Sequence, residues 1–272
     1  MTRQESLKEM INKAQSSQYN EKFAAALQWM WGDGYLAPGG PAEVAELLGS
    51  VDIRDKRVLD IGCGLGAIAV LLVDQYGAGS VHGIDVETHL IEHCRRRAKK
   101  AARGDRISFE LVKPGPLKFE DESFDVVFTK DVIVHVPDKP TFYQDIFRLL
   151  KPGGIFVGSD WLRGGKGACS TLAAKWLEYV HLDFQMKNLE QTRSAIEAVG
   201  FDHVRMNDRN RWYCEEVKKE IAALEGDKFG ELARMIGRDE ADYRLESSLL
   251  KQQVINEGFL RPTHFVGYKP SQ

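Results

Sequence analysis

A glycine-spaced turn directly after a short apolar strand constrains this chain more than any other feature. Residues 58–67 read VLDIGCGLGA, so that glycines stand at positions 62, 64 and 66. An apolar stretch with the length of a helix follows at 67–76, and a second strand-like run at 80–84 ends in Asp85. This order is typical of a nucleotide-binding crossover in a parallel α/β sheet, where the glycines form a tight turn and let a ligand approach the backbone.

The alternation of strand-like and helix-like segments after residue 55 predicts an α/β fold with a doubly wound, seven-stranded and mostly parallel sheet. Strands are expected near 57–61, 80–85, 107–112, 124–129, 154–160, 202–207 and 263–269, and leading helices near 4–15, 20–31 and 40–49. We therefore divide the chain into an N-terminal helical lid at 1–50, a core at 51–209, a helical lid insertion at 210–258 and a last core strand at 259–272.

The composition argues against several kinds of partner. A formal charge of -3 gives no electrostatic signature of nucleic-acid binding, and the basic run at 95–100 is expected to be a solvated helix face, with an RNA contact as the alternative. No run of about 18 apolar residues occurs, which argues against a membrane span. The four cysteines contain no C-x-x-C motif and follow no secretory leader, so a cytoplasmic protein is expected.

Asp60 helps to decide which ligand the turn binds. It lies two residues before the first glycine, where a carboxylate would repel the pyrophosphate of a dinucleotide but could hold an ammonium group. VLDIGCGLG resembles motif I of the class I S-adenosylmethionine-dependent methyltransferases, which have a Rossmann-like sheet. The resemblance implies S-adenosyl-L-methionine as the cofactor and Asp60, Gly62, Gly64 and Gly66 as residues that hold it, while a nicotinamide or other nucleotide remains the alternative.

Asp85 ends the second strand, where the resemblance implies a carboxylate that binds the cofactor ribose. The alternative is an N-cap for the helix expected at 87–100. By the same resemblance, Val86, Lys130 and Asp131 lie beside the cofactor. The third strand lacks the aspartate that many of these enzymes place near the adenine, so the adenine contact stays unassigned.

Asp131 and His135 follow the fourth predicted strand and are four residues apart, so on a helical turn they would point the same way. An alkylamine must lose a proton before it attacks a methyl group, and a histidine, with an ordinary pKa of about 6.5, is the natural acceptor of that proton. We therefore expect these two side chains to flank the methyl acceptor. The alternative is that His135 only packs in the turn before Pro137.

A narrower resemblance covers this segment and the N-terminal one. The pattern D-x-x-x-H-x-P-D-K at 131–139 and the aromatic and glycine-rich segment at 31–40 are similar to phosphoethanolamine N-methyltransferases and to sarcosine and dimethylglycine N-methyltransferases. The resemblance implies that Tyr19 pairs with His135. The spacing from Tyr19 to the segment at 31–40 is about one helical turn longer than in that family, so Phe23 is the alternative in the place of the tyrosine.

The chain departs from this family where a phosphate would bind. Asp183 and Gln185 stand in place of an arginine and a tyrosine, and Trp161 in place of another tyrosine. Because a carboxylate repels phosphate, we expect a non-phosphorylated amine as the acceptor, with phosphoethanolamine as the alternative. Aromatic rings would stabilise its ammonium group and an arginine could bind a carboxylate, so the residues expected at the substrate are Trp31, Trp161, Tyr179, Asp183, Arg211 and Trp212.

The sequence thus predicts an enzyme that transfers a methyl group from S-adenosylmethionine to a small amine. Two other functions fit the same residues. Methylation of the sulfur of a small thioether would need no base, and a cofactor-binding module would bind the cofactor without turning over any amine.

Overall fold

The seven strands form one sheet that is parallel except for its last strand. A computed structural model of the chain describes residues 19–49, 51–165, 170–180 and 184–271, so the helix predicted at 4–15 lies outside the described residues. The strands are β1 (Arg57–Ile61), β2 (Ser80–Asp85), β3 (Ile107–Leu111), β4 (Phe124–Lys130), β5 (Leu150–Arg163), β6 (Asp202–Asp208) and β7 (Leu260–Tyr268). Their order is β3-β2-β1-β4-β5-β7-β6, and β7 runs antiparallel to both of its neighbours. The doubly wound, mostly parallel sheet predicted from the sequence is therefore confirmed.

The described helices fall into two groups. The predicted lid segments contain α1 (Glu21–Trp31) and α2 (Gly40–Leu48) before β1, and α8 (Asn210–Glu225), α9 (Phe229–Ile236) and α10 (Arg238–Asn256) between β6 and β7. The predicted core contains α3 (Ala67–Asp74), α4 (Thr88–Lys100), α5 (Lys139–Leu149), α6 (Thr171–Val180) and α7 (Leu189–Ala198). None of the helices in the described ranges has the length and hydropathy needed to cross a bilayer.

Alternating residues of the central strands face two separate hydrophobic clusters. Val58 and Val126 pack with apolar residues of α2, α3 and α4, whereas Leu59 and Val127 pack with those of α5 and α7. Because successive residues of a strand point to opposite faces of the sheet, both faces are covered. The carboxyl ends of the parallel strands are left as the one edge at which polar side chains can meet.

The start of β5 differs from the prediction. The strand begins at Leu150, although the Pro152-Gly153-Gly154 turn favours a start at 154. Leu150 pairs with Phe124, and the next paired residue, Ile155, lies opposite Val126, so the ladder shifts register across the turn. The prediction missed Leu150 because a single paired residue ahead of Pro152 leaves no alternating pattern in the sequence.

A buried ion-pair cluster connects α2 to the core. The Glu43 carboxylate accepts hydrogen bonds from Arg209 Nε (3.0 Å) and Nη2 (2.9 Å) and lies 2.7 Å from Nε2 of His264 on β7. Burial alone would raise the pKa of Glu43, but hydrogen bonds from His264 and Arg209 outweigh it and hold that pKa below its ordinary value. Since Arg209 immediately precedes α8, this carboxylate also links the two lid segments predicted from the sequence.

Replacement of Glu43 by glutamine is expected to lower the free energy of unfolding by about 3–5 kcal/mol, because loss of one partner leaves buried positive charge uncompensated. Glu46 is the matched control, since its carboxylate is 3.7 Å from Arg209 Nη1 but its side chain is 57% exposed. Glu46→Gln should change stability by less than about 1 kcal/mol. Urea unfolding of both variants measures the difference, and equal losses would contradict the role given to Glu43.

Candidate active site

The carboxyl ends of β1, β2, β4 and β5 open into a cavity of about 1240 Å³. The strand order reverses between β1 and β4, which is where open α/β sheets bind ligands. Helices α1, α8, α9 and α10 contribute further walls. From the core, the predicted site residues that line the cavity are Gly62, Gly64, Asp85, Val86, Lys130, Asp131, His135 and Trp161.

The glycine turn leaves no room for side chains. Gly62 has a φ of 73°, and a Cβ on it would lie 2.2 Å from Val132 Cγ2. Gly64 has a φ of 54°, and its Cβ would lie 3.3 Å from Leu36 Cδ1. Gly66 does not line the cavity; its Cβ would meet Phe109 at 3.0 Å, so this glycine allows close packing behind the turn. The first two glycines shape the cavity and the third supports them.

Asp60 lies behind the turn and carries an unpartnered oxygen. Its side chain is buried, and Oδ2 has no hydrogen-bond partner within the described part of the chain. Burial, with a smaller contribution from the charge of Asp85, raises the pKa of Asp60 to about 7. The residue is not itself part of the cavity lining. A buried carboxylate oxygen next to a side-chain-free turn fits the ammonium group of an amino acid moiety, directly or through water.

Asp85 joins the ends of β1 and β2. Its Oδ2 accepts a hydrogen bond from the Gly64 amide (3.0 Å) and its Oδ1 one from the Glu87 amide (3.0 Å). The N-cap of α4 is Glu87, so the alternative in which Asp85 caps this helix is wrong. Val86, which follows, is 51% exposed and lines the cavity. A fixed carboxylate beside an exposed apolar side chain suits a ribose next to a flat base.

The segment after β3 supplies cavity wall that was left unassigned at the sequence level. Residues Val112, Lys113, Pro114, Gly115, Pro116 and Leu117 all line the cavity. The Val112 amide donates to the Asp85 carbonyl, which holds the start of this segment against the end of β2. Its two prolines and one glycine carry no periodic pattern, so only the position after the third strand could have indicated it.

Asp131 has a strained backbone in the cavity wall. Its φ is 59°, in the left-handed region that residues other than glycine seldom adopt. The carboxylate accepts hydrogen bonds from Ser159 Oγ (2.8 Å) and from Lys130 Nζ (2.7 Å), and the amide donates to the Ser159 carbonyl (2.8 Å). Such conformations cost about 1–3 kcal/mol and cluster at functional sites. The backbone strain and the two hydrogen bonds fix the carboxylate in place.

The helical turn expected to join Asp131 and His135 is absent from this described stretch. His135 lies in a single 3₁₀ turn at Ile133–His135, and Asp131 precedes it with a non-helical conformation. The two side chains nevertheless line the same cavity. The prediction of a shared helical face was wrong because the strained residue redirects the chain before the turn begins.

Tyr19 lies against His135. The Tyr19 hydroxyl is 3.4 Å from His135 Nε2, and the two rings meet edge to face. Phe23 stacks on Tyr19 at 5.3 Å, so the tyrosine and not the phenylalanine is next to the histidine. The Tyr19 carbonyl accepts a hydrogen bond from His89 Nε2 (2.6 Å) on α4. The chain ahead of α1 is thereby held to the helix that follows Asp85.

Two buried charged residues, missed at the sequence level, hold the turn that carries His135. Lys139 Nζ donates to the carbonyls of Ile133 and, at 3.0 Å, Val136, while Asp160 Oδ1 accepts from the Val134 amide at 2.9 Å. Burial raises the pKa of Asp160 to about 7 and lowers the pKa of Lys139. Lys139 ends the motif at 131–139 and Asp160 ends the strand predicted at 154–160, but nothing in their spacing indicates that they face the same turn.

Only some of the predicted substrate residues reach the cavity. Trp31 and Trp161 line it, whereas Arg211 is exposed outside it. Tyr179 instead bonds Glu246 (2.6 Å) and stacks on Tyr243, and Trp212 packs on Arg209 and Tyr213, so neither lines the cavity. Asp183 lies outside the described residues. The cavity is also lined by residues that were not among the expected substrate residues, namely Trp176, Phe184, Tyr213, Glu220, Arg244 and Lys251.

Comparisons with known proteins agree with this geometry. Residues 53–162 match the family model described as a methyltransferase domain. A phosphoethanolamine N-methyltransferase of Triticum aestivum is 26% identical over 253 residues, which cover 93% of this chain and 49% of that protein. The chain thus spans about half the length of the curated relatives it matches.

Solved structures of methyltransferases have the same fold. Phosphoethanolamine N-methyltransferase 2 of Haemonchus contortus, in complex with phosphomonomethylethanolamine and S-adenosylhomocysteine, superposes with a TM-score of 0.85 at 27% identity, over 93% of this chain and 58% of that one. A putative sarcosine dimethylglycine methyltransferase from Galdieria sulphuraria gives a TM-score of 0.73 at 22% identity, over 85% and 83% of the two chains, and shows the fold alone. The described core therefore has the class I fold of S-adenosylmethionine-dependent methyltransferases, as the resemblance implied.

Gly62→Val should weaken the binding of S-adenosylhomocysteine by about a hundredfold or more, because the new side chain must displace Val132 or distort the turn. Gly104→Ala is the control, since a Cβ there meets no atom within 4 Å. Isothermal calorimetry measures both affinities, and circular dichroism checks that each variant is folded. Unchanged affinity in folded Gly62→Val would remove the turn from the cofactor site.

Proposed function

We propose that this chain, which contains a methyltransferase domain of the class I fold, transfers a methyl group from S-adenosylmethionine to the nitrogen of a small, non-phosphorylated amine. The observation that carries the proposal is that the glycine turn and the Tyr19–His135 pair line one continuous cavity. A cofactor held at the turn and an acceptor held at the pair would therefore meet inside it.

The cofactor would be held by the turn, by Asp60 behind it, and by Asp85 and Val86 at the end of β2. When bound, S-adenosylmethionine supplies an electrophilic methyl group on a positively charged sulfur. Ionised Asp60 would stabilise the ammonium group of the cofactor, and the Asp85 carboxylate would accept hydrogen bonds from the ribose. Lys130 Nζ lies 2.7 Å from the Asp131 carboxylate and helps to hold it in the cavity wall.

His135 would accept the proton that the amine must lose. The Tyr19 hydroxyl within reach of its Nε2 can hold the amine or pass the proton on. Burial and the negative charge of Asp131 raise the pKa of Tyr19, so this side chain stays a neutral phenol and acts as a hydrogen-bonding group, not as a base. The fixed carboxylate of Asp131 would stabilise positive charge on the acceptor nitrogen.

Aromatic rings line the cavity that His135 also lines. They are Trp161, Trp176, Phe184 and Tyr213, of which Phe184 lies 5.3 Å from the imidazole of His135. An ammonium group that carries methyl substituents has few hydrogens to donate but is attracted to ring faces by about 0.5–2 kcal/mol per contact. These residues favour an amine acceptor over a neutral oxygen or sulfur acceptor.

The charges at this end of the cavity support an acceptor without phosphate. Lys251 is paired with Glu220 at 2.6 Å, and Arg244 is bonded to Glu240 at 2.8 Å. A phosphate monoester would therefore enter a region in which both of these basic side chains are already neutralised. The names of the relatives make phosphoethanolamine the second candidate acceptor.

The segments at 1–50 and 210–258 would act as lids over this cavity. Within the described residues, α1 and α8 to α10 contribute walls on the acceptor side. An acceptor and cofactor enclosed by these helices would be shielded from water, and the helices must move for exchange. The N-terminal part of the first segment lies outside the described residues.

Paired acceptors test the proposed substrate class. The ratio of kcat/KM for ethanolamine to that for phosphoethanolamine should be at least about 10, because Lys251 and Arg244, the two basic side chains at this end of the cavity, are already paired with carboxylates. The measurement is transfer of a labelled methyl group to each compound under identical conditions. A ratio below one would leave methyl transfer in place and make phosphoethanolamine the acceptor.

Removal of the base should slow methyl transfer without weakening cofactor binding. His135→Gln is expected to lower kcat for an amine by about 10²–10⁴, and Tyr19→Phe by less, because the second variant keeps the proton acceptor. The deficit of His135→Gln should shrink as pH approaches about 10, where amines lose their proton in solution. His203→Asn, on the exposed surface of β6, is the control. A rate that survives loss of His135 at all pH values would favour methylation of a thioether.

A further inference from the structure

Three hydrogen-bond donors converge on one buried carboxylate at the acceptor end of the cavity. Glu220 on α8 accepts hydrogen bonds from Trp31 Nε1 of α1 (3.2 Å) and from Lys251 Nζ of α10 (2.6 Å). It also accepts one from the hydroxyl of Tyr213 on the same helix (3.2 Å). The side chain of Glu220 is 4% exposed and that of Lys251 is 14% exposed. All four residues line the cavity.

The donors are two neutral groups, from Trp31 and Tyr213, and the ammonium group of Lys251, and they come from three different helices. Such an arrangement binds an anion. Here the anion is a side chain of the chain itself. Lys251 also lies 5.4 Å from the ring of Tyr213, which restricts where its ammonium group can move. Because the ammonium and the carboxylate neutralise each other out of water, a second anion gains little by approaching Lys251 and is repelled by Glu220.

We propose that Glu220 occupies the position at which an anionic substituent of an acceptor would bind, and that it is the residue which excludes phosphorylated amines. The inference rests on the proposed methyl transfer to an amine and names the structural cause of its selectivity. Glu220 is a specificity-determining residue in this scheme and takes no part in the transfer itself.

Neutralising Glu220 should open the site to phosphate. In Glu220→Gln the three donors remain and the charge of Lys251 is no longer balanced, so the ratio of kcat/KM for phosphoethanolamine to that for ethanolamine should rise at least about tenfold. Phosphoethanolamine should also bind about tenfold more tightly to the variant loaded with S-adenosylhomocysteine, as measured by calorimetry. The calorimetric measurement does not depend on turnover.

Two further variants assign the effect. Glu216 lies on the same helix as Glu220, but its carboxylate pairs with Lys219 and does not line the cavity. The ratio of kcat/KM for phosphoethanolamine to that for ethanolamine in Glu216→Gln should therefore match that of the parent protein. Glu220→Gln combined with Lys251→Met removes both charges and should abolish the gain. A gain that persists in the double variant would overturn the role of Lys251 as the exposed anion-binding group.

The outcomes separate this inference from the proposed function. If the parent protein prefers ethanolamine and folded Glu220→Gln keeps the same ratio, the role of Glu220 is overturned and the proposed function stands. If the parent protein already prefers phosphoethanolamine, the proposed substrate class fails. Should Glu220→Gln not fold, Lys251→Gln serves instead, because it leaves Glu220 unbalanced and should lower the ratio about tenfold; an unchanged ratio would overturn the inference.

Discussion

The hydrogen bond from the Gly64 amide to the Asp85 carboxylate holds the cavity together. It ties the turn after β1 to the end of β2, while the second oxygen of Asp85 fixes the residue before α4. Helix α4 in turn contacts Tyr19 through His89, so the same carboxylate is connected to the residue that lies on His135. The positions proposed for the cofactor and for the acceptor are therefore connected by a short series of contacts.

Opposite charges are balanced locally along the cavity. Asp131 is paired with Lys130, and Glu220 is paired with Lys251. Asp160 and Lys139 are bonded to the same turn, Asp160 to its Val134 amide and Lys139 to its Ile133 carbonyl. Breaking one partner of such a pair costs more than the pair contributes, since the remaining charge is buried. The paired charges therefore hold one another in place, and the proposed selection of the acceptor by Glu220 depends on this pairing with Lys251.

The sequence predicted the fold and the glycine turn after β1 because both depend on local patterns. Apolar runs of strand length and the positive-φ glycines at 62, 64 and 66 are set by residues next to each other in the chain. The contact of Tyr19 with His135 came from a family resemblance, not from spacing. The faces that helices turn toward the cavity were not predicted, because they depend on how the helices pack: Tyr179 on α6 and Trp212 on α8 were assigned to the cavity although they pack outside it. Long-range pairs such as Glu220 with Lys251 leave no signal in a single sequence.

The most direct test is to incubate the protein with a pool of small metabolites and S-adenosylmethionine that carries an isotopically labelled methyl group, and to identify the labelled products by mass spectrometry. If the proposed function is correct, the label will be on the nitrogen of a small amine that has no phosphate, and S-adenosylhomocysteine will be released in equal amount. Label on sulfur, or binding of S-adenosylmethionine with no labelled product from a broad pool of amines, would contradict it.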